Sequence, residues 1–310
     1  MAPQARAMVE HSTTLVVKPN TALSARTANI KIVTTDGKLS VNYTILQSVF
    51  DSFTATTADA AGWKAGDKIS LFAGNTKNQQ FNYVGTAGAA SGAFEVAAAA
   101  SGSTTATQAH YAVYPYSSTH SLGTDGRLAI SFPAEQSYVA SGYNRNYNVM
   151  VAKSAGLDDT ELTLRPVCAY VRVKLWGKDQ TIKSLTLTTT AGEAVAGMAL
   201  VTPSVEALPT CKFISTTSSI KINCNEVKVS ATEAAATEFW FVVPAVNLAQ
   251  GYSIKLVGFY GGEQTIDMSN VNSFTAGTTY LVSNEVTIPN NGAGMGVGGW
   301  GDGENVDGEI

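Results

Sequence analysis

Val167-Cys168-Ala169-Tyr170-Val171-Arg172-Val173-Lys174-Leu175 alternates apolar and polar residues with a period of two. Val167, Ala169, Val171, Val173 and Leu175 fall on one face, and Tyr170, Arg172 and Lys174 on the other. Successive strand side chains point to opposite faces, so the stretch predicts a strand that covers a core on one side and meets water on the other. The polar run Lys153-Ser154-Ala155-Gly156-Leu157-Asp158-Asp159 lies just upstream. A domain boundary is therefore expected near residue 160.

The same pattern spreads in both directions. Upstream, Asn29-Ile30-Lys31-Ile32-Val33 and Leu39-Ser40-Val41-Asn42-Tyr43 flank Asp36-Gly37, a hairpin signal because Asp-Gly tolerates the positive φ of tight turns. Further strands are predicted over 68–73, 80–84, 92–96, 109–114, 127–132 and 148–152, and Ala97 to Ala100 reads as a strand end and loop. Downstream, strands are predicted over 182–188, 213–214, 220–222, 227–229, 238–243, 254–259 and 279–288. Short strands at regular spacing with turn residues between them indicate β-sandwiches. The chain has 310 residues, which favours two domains of roughly 150 residues over one core. Only 14% of residues are charged, and 28 Gly with 9 Pro supply turns. The expected fold class is all-β.

Several function classes are disfavoured. A net charge of -4 offers no basic field to neutralise phosphates, so nucleic acid is not an expected partner. The longest apolar runs, such as 194–201 and 239–246, fall short of the roughly 20 residues that cross a bilayer. His11, His110 and His120 are scattered, and neither HExxH nor GxSxG occurs, so the chain reads as a non-enzyme with no cofactor, although paired carboxylates of a secreted hydrolase have no sequence signature. Gly294-Met295-Gly296-Val297-Gly298-Gly299 has the letters of GxGxxG, but too few residues follow to build the helix that a dinucleotide site needs. The acidic run 302–309 misses the spacing of a calcium loop and reads as solvated. Asn42-Tyr43-Thr44 matches a glycosylation sequon, a common pattern of little weight.

The three cysteines include no CxxC pair, which argues against zinc. Cys211 and Cys224 bracket a stretch that reads as a hairpin turning near Thr217-Ser218. Such a turn would set the two sulfurs opposite each other, so a disulfide is one expectation and two buried thiols the other. Tyr138, Tyr143 and Tyr147 are either a platform for sugar rings or tyrosines of a sandwich edge. The N-terminus lacks an apolar signal region, so a secretory leader is expected outside this numbering.

Four short phrases follow in order: Gly62-Trp63-Lys64-Ala65-Gly66-Asp67-Lys68-Ile69, Tyr111-Ala112-Val113-Tyr114-Pro115-Tyr116, Phe274-Thr275-Ala276-Gly277-Thr278-Thr279-Tyr280, and Gly299-Trp300-Gly301-Asp302-Gly303. With Gln136 after the next strand, and Leu164, Pro166, Val167, Ala169 and Val171 opening the second half, this order resembles the fimbrillin family, the subunits of type V pili of Bacteroidetes. The match spans about residues 60 to 303, and its collinearity carries the resemblance.

The resemblance implies two transthyretin-like β-sandwich domains in tandem with a C-terminal strand-donating arm. The divisions it suggests are 1–26, a segment removed by proteolysis; 27–160 and 161–288, the sandwiches; and 289–310, a Gly-rich arm. It implies a stalk or accessory pilin at the cell surface or outer membrane, made as a lipoprotein precursor. Polymerisation with other fimbrillin subunits would proceed by donor-strand exchange after an Arg-specific protease cuts at Arg26 or Arg6. Val286, Ile288, Met295, Val297 and Trp300 would form the donor arm. The alternative is a surface-anchored adhesin of the same fold that binds a host glycan or protein.

Overall fold

The structure, a computed structural model, describes residues 26–33, 38, 40–47, 52–74, 76–97, 109–140, 142–157 and 159–289. Its regular elements are β-strands and two single 3₁₀ turns, Arg145–Tyr147 and Glu233–Ala235; no α-helix occurs among the described residues. The first two strands, β1 (Arg26–Val33) and β2 (Ser40–Gln47), pair antiparallel as the Asp36-Gly37 signal predicts, with Ile30 opposite Tyr43 and Ile32 opposite Val41.

An eight-stranded sheet follows. It contains β3 (Ser52–Thr56), β4 (Lys68–Phe72), β5 (Gln79–Tyr83), β6 (Ser91–Val96) and β7 (Tyr111–Tyr114). The chain then leaves this sheet for β8 (Ser121–Leu122), β9 (Leu128–Phe132) and β10 (Glu135–Ser137). It returns as β11 (Met150–Lys153), β12 (Glu161–Thr163) and β13 (Arg165–Pro166). The order is β12-β3-β6-β5-β4-β7-β11-β13. Its two terminal strands are consecutive in the chain, with only Leu164 between them, so the sheet curls around its own core of Trp63, Phe53, Phe81, Phe94 and Leu164.

Strand β7 explains why Tyr111-Ala112-Val113-Tyr114 does not alternate in polarity. All four residues are buried; Ala112 and Tyr114 face the curled interior, while Tyr111 and Val113 face a separate apolar layer. A strand covered on both faces reads as a continuous apolar run.

The phrase around Trp63 forms the junction that holds this unit. Trp63 is fully buried, its Nε1 donates to Ala55 O at 2.8 Å, and its ring meets Phe94 edge-on at 4.8 Å. Gly62 has φ +66°, and a Cβ there would lie 2.3 Å from Gly88 O, so glycine is required for the backbone to pass. Asp67 closes the turn, its Oδ2 accepting from Lys64 N at 2.7 Å and its Oδ1 from the Tyr114 hydroxyl at 3.0 Å.

Arg145, on the 3₁₀ turn after β10, reaches into the same junction. Its Nη2 donates to Asp67 Oδ2 at 2.9 Å and its Nη1 to Gly62 O at 2.9 Å. Asp59 Oδ2 lies 3.0 Å from Nη1 as a charge contact without hydrogen-bond alignment; Asp59 Oδ1 accepts from Ala61 N. Burial pushes the Tyr114 hydroxyl up to about 12, which keeps it a donor at neutral pH.

The second half supplies β14 (Cys168–Trp176), β15 (Thr181–Thr189), β16 (Gly197–Thr202), β17 (Thr210–Phe213) and β18 (Ser219–Lys228). It continues with β19 (Thr237–Pro244), β20 (Val246–Asn247), β21 (Tyr252–Gly258), β22 (Glu263–Met268), β23 (Ser273–Phe274) and β24 (Thr279–Glu285). A five-stranded sheet, β10-β18-β15-β21-β22, packs against the three strands β19-β14-β24. The alternation read over 167–175 holds along β14: Ala169, Val171, Val173 and Leu175 line this sandwich core. Val167 instead joins the layer beside β7, its N–H donating to Val149 O.

The sheets do not divide near residue 160. Strand β9 pairs antiparallel with β16, and β10 pairs parallel with β18, so strands 128–132 and 135–137 sit with partners from the second half. Leu128, Ile130 and Phe132 of β9 meet Ala199 and Val201 in a third core, against Phe72, Val113 and Val151. Gln136 ties the two layers together: it is buried, its Nε2 donates to Val242 O at 2.7 Å, and its Oε1 accepts from Val242 N at 3.1 Å. The side-chain amide thus bonds β19 as a strand's own peptide group would.

The hairpin expected between Cys211 and Cys224 is not formed, and both sulfurs are free thiols. The O of Thr217 is taken by Val195 N and Ala196 N. The chain therefore crosses between sheets instead of turning: Cys211 pairs with Val201 across β16–β17, while Cys224 lies in the sandwich core. Burial pushes each thiol up to about 12, so both stay protonated.

Two outcomes follow for stability. Arg145→Met leaves the carboxylates of Asp59 and Asp67, with side chains 3% and 12% exposed, without their counter-charge; urea unfolding should show a loss of about 3 kcal/mol. His120 is buried, with its Nδ1 3.1 Å from Ser70 Oγ, and burial lowers its pKa from 6.5 to about 4. The unfolded chain takes up a proton at a higher pH than the folded one does. Stability should therefore fall by about 3 kcal/mol as pH drops across that window, and the urea midpoint of His120→Gln should lack this component.

Candidate functional site

The residues singled out by sequence scatter when placed on the fold. Arg26 is the first residue of β1, in register with Gln47; Arg6 lies outside the described residues. Val286 and Ile288 are 2% and 4% exposed and belong to the sandwich core of their own chain. Both side chains are packed inside the fold of their own chain. Met295, Val297 and Trp300 lie outside the described residues.

The three tyrosines serve packing. Tyr143 stacks on Tyr170 with ring centroids 4.5 Å apart, Tyr138 packs on Phe239, and the Tyr147 hydroxyl accepts from Ser137 N at 3.1 Å. Exposed aromatic surface lies elsewhere, at Phe259 and Tyr260 on the tip joining β21 to β22. A Phe-Tyr pair placed between Gly258 and Gly261-Gly262 in the sequence is the signal that would have found it.

The segment 285–289 is held tightly. Val286 N donates to Trp176 O at 2.7 Å. The Gln264 amide brackets the backbone on either side, its Nε2 donating to Glu285 O at 2.9 Å and its Oε1 accepting from Thr287 N at 2.8 Å. Pro289 crosses Gly262 so closely that a Cβ there would lie 2.2 Å from Pro289 O.

Beside this segment, β22 and β24 end their sheets, and neither has a further partner among the described residues. Ile266 and Met268 of β22 and Tyr280 of β24 are partly buried against the core, and Leu281 is 58% exposed. Edge strands of this kind carry unpaired N–H and C=O groups that accept an added strand.

The β1–β2 ribbon is a separate two-stranded sheet. Its register puts Ile30, Ile32, Val41 and Tyr43 on one face. Ile32, Val41 and Tyr43 are 55%, 52% and 54% exposed, and an isolated two-stranded ribbon is only marginally stable in water. Among the described residues no group of three or more His, Cys, Asp or Glu is placed to hold a metal, and no helix is long and apolar enough to cross a membrane.

No protein-family model matches the chain, and no curated protein does. Solved structures do. A putative cell adhesion protein from Bacteroides uniformis aligns over 76% of this chain and 92% of its own, at 17% identity and a TM-score of 0.46. The tip fimbrial protein Mfa3 from Porphyromonas gingivalis aligns over 69% of this chain and 79% of its own, at 9% and 0.33. A fimbrial protein from Bacteroides ovatus aligns over 75% of this chain and 48% of its own, at 14% and 0.31. The structural neighbours of this all-β chain are thus putative cell adhesion proteins and fimbrial proteins.

Proposed function

We propose that the chain is a structural subunit of a surface fimbria of the type V kind, a stalk or accessory pilin that polymerises by exchanging strands with its neighbours. The observation that carries this reading is the β1–β2 ribbon: it starts at Arg26, pairs with no other strand among the described residues, and exposes Ile32, Val41 and Tyr43 on one face. Cleavage at Arg26 by an Arg-specific protease removes residues 1–26. The ribbon then offers a neighbour both an apolar face and free strand edges, and an added strand satisfies backbone and apolar surface together.

The donor in this scheme is the segment after Pro289, with Met295, Val297 and Trp300 as its apolar residues. In this reading the buried Val286 and Ile288 and the two Gln264 hydrogen bonds anchor that segment to the sandwich core. The division into 27–160 and 161–288 is kept as part of this reading, with β9 and β10 as the part of the first half that pairs with strands of the second.

Treatment of the purified full chain with an Arg-specific protease should yield SDS-resistant ladders on gels. Arg26→Ala should block the trimming step, and deletion of 290–310 should leave trimmed monomers that do not polymerise. Ladders that grow undiminished without 290–310, or trimmed wild-type protein that stays monomeric, would overturn the proposal.

A further inference from the structure

Two hollows adjoin on the exposed side of the five-stranded sheet. One, of about 380 Å³, is lined by Asp179, Gln180, Thr181, Phe259 and Tyr260 beside the segment 285–289. The other, of about 510 Å³, is lined by Lys183, Lys221 and Lys255 with Thr186, Ser184 and Asn223. Glu226 lines both, so the two hollows share a wall and lie side by side as the two ends of one trough-like surface.

The strand register explains the spacing of the lysines. Thr186 of β15 lies opposite Lys221 of β18 on one side and Lys255 of β21 on the other. Two ammonium groups thus flank a hydroxyl in one row, on strands two apart, which sets their backbones about 9–10 Å from each other. In the next row Ser184 lies between Asn223 and Val257. Against β21 the register shifts between Ile182 and Ser184, which are paired with the adjacent residues Gly258 and Val257, so Lys183 is an extra residue on β15. Lys255 contacts Glu263 at 3.1 Å. Among the described residues neither Lys183 nor Lys221 takes part in an ion pair.

The other end of the trough has different chemistry. Phe259 and Tyr260 meet edge-to-face at 4.9 Å and 82°, yet are 45% and 55% exposed. A ring pair on a rigid hairpin tip presents an apolar platform of the kind that the C–H face of a pyranose covers. Asp179 and Glu226, both at positive φ, bring carboxylate acceptors to the same rim, where paired sugar hydroxyls can donate.

A platform for a ring, acceptors for its hydroxyls and ammonium groups set about 9–10 Å apart across neighbouring strands suit a chain of sugars that carries anions along its length. We propose that the trough binds an acidic polysaccharide, with its carboxylate or sulfate groups at Lys183, Lys221 and Lys255 and one sugar ring against Tyr260. The site needs no strand exchange, so it is present on the untrimmed monomer.

The test is affinity electrophoresis of the untrimmed full chain in gels containing alginate, a polyuronate, or heparin, a sulfated glycan, with dextran, poly-glutamate and a DNA oligonucleotide as comparisons. Retardation by alginate, heparin or both, weaker at high salt and absent with dextran, is expected. Lys221→Gln combined with Lys255→Gln should weaken it about tenfold and Tyr260→Ala about fivefold. Lys64→Gln, at an exposed lysine in the turn before β4, should change nothing. These are surface substitutions, and circular dichroism is to be used to check that each variant is folded. The proposal fails if neither acidic glycan binds, if dextran binds as well as they do, if poly-glutamate or DNA binds as tightly, or if Tyr260→Ala leaves glycan binding unchanged.

Discussion

A single guanidinium, held between one buried and one half-buried carboxylate, organises the first half of the chain. Arg145 meets Asp59 and Asp67 inside a shell closed by Tyr114 and the Gly62 carbonyl. Removing ions from water is unfavourable, and mutual attraction offsets this only where geometry and further hydrogen bonds are good. Asp67 satisfies that condition by also capping the Lys64 turn. The turn in turn delivers Trp63 into the curled core and Ile69 into β4. The 3₁₀ turn that carries Arg145 follows β10 and precedes β11, so the same contact fixes where the chain returns from the second half.

Local pattern made much of this legible before any coordinates. Asp36-Gly37 between alternating runs gave the β1–β2 ladder, and the period of two over 169–175 gave β14 with its inward and outward faces. The Trp63 and Tyr114 phrases were legible as turn and strand, though not as partners, because Arg145 joins them from a stretch without a pattern of its own. Periodicity states which face of a strand is apolar and is silent about its neighbours. For that reason the pairing of β9 with β16 was invisible, and the segment from Cys211 to Cys224 read as a hairpin when Thr217 in fact binds Val195 and Ala196. The tyrosines at 138, 143 and 147 gave no hint of their partners, and the exposed pair at 259–260 went unread because strand pattern and glycine turn look alike there.

Two glutamines share one device. Gln136 and Gln264 each use both ends of a side-chain amide on the backbone of a neighbouring segment. A primary amide carries donor and acceptor groups like those of a peptide unit, so one side chain closes a gap where a further strand would not fit. One such bridge links the two layers at Val242 and the other holds the chain at Glu285 and Thr287. In both places a polar group inside or beside the core is satisfied on both its atoms, the condition under which buried polarity adds order.

The exchange of β9 and β10 between halves has a mechanical meaning. Because 128–132 is stitched to 197–202 and packed over the outer side of β7 and β11, the two halves lack a hinge about which they could swing. A force that parts the halves would therefore load the β9–β16 rungs together rather than one after another.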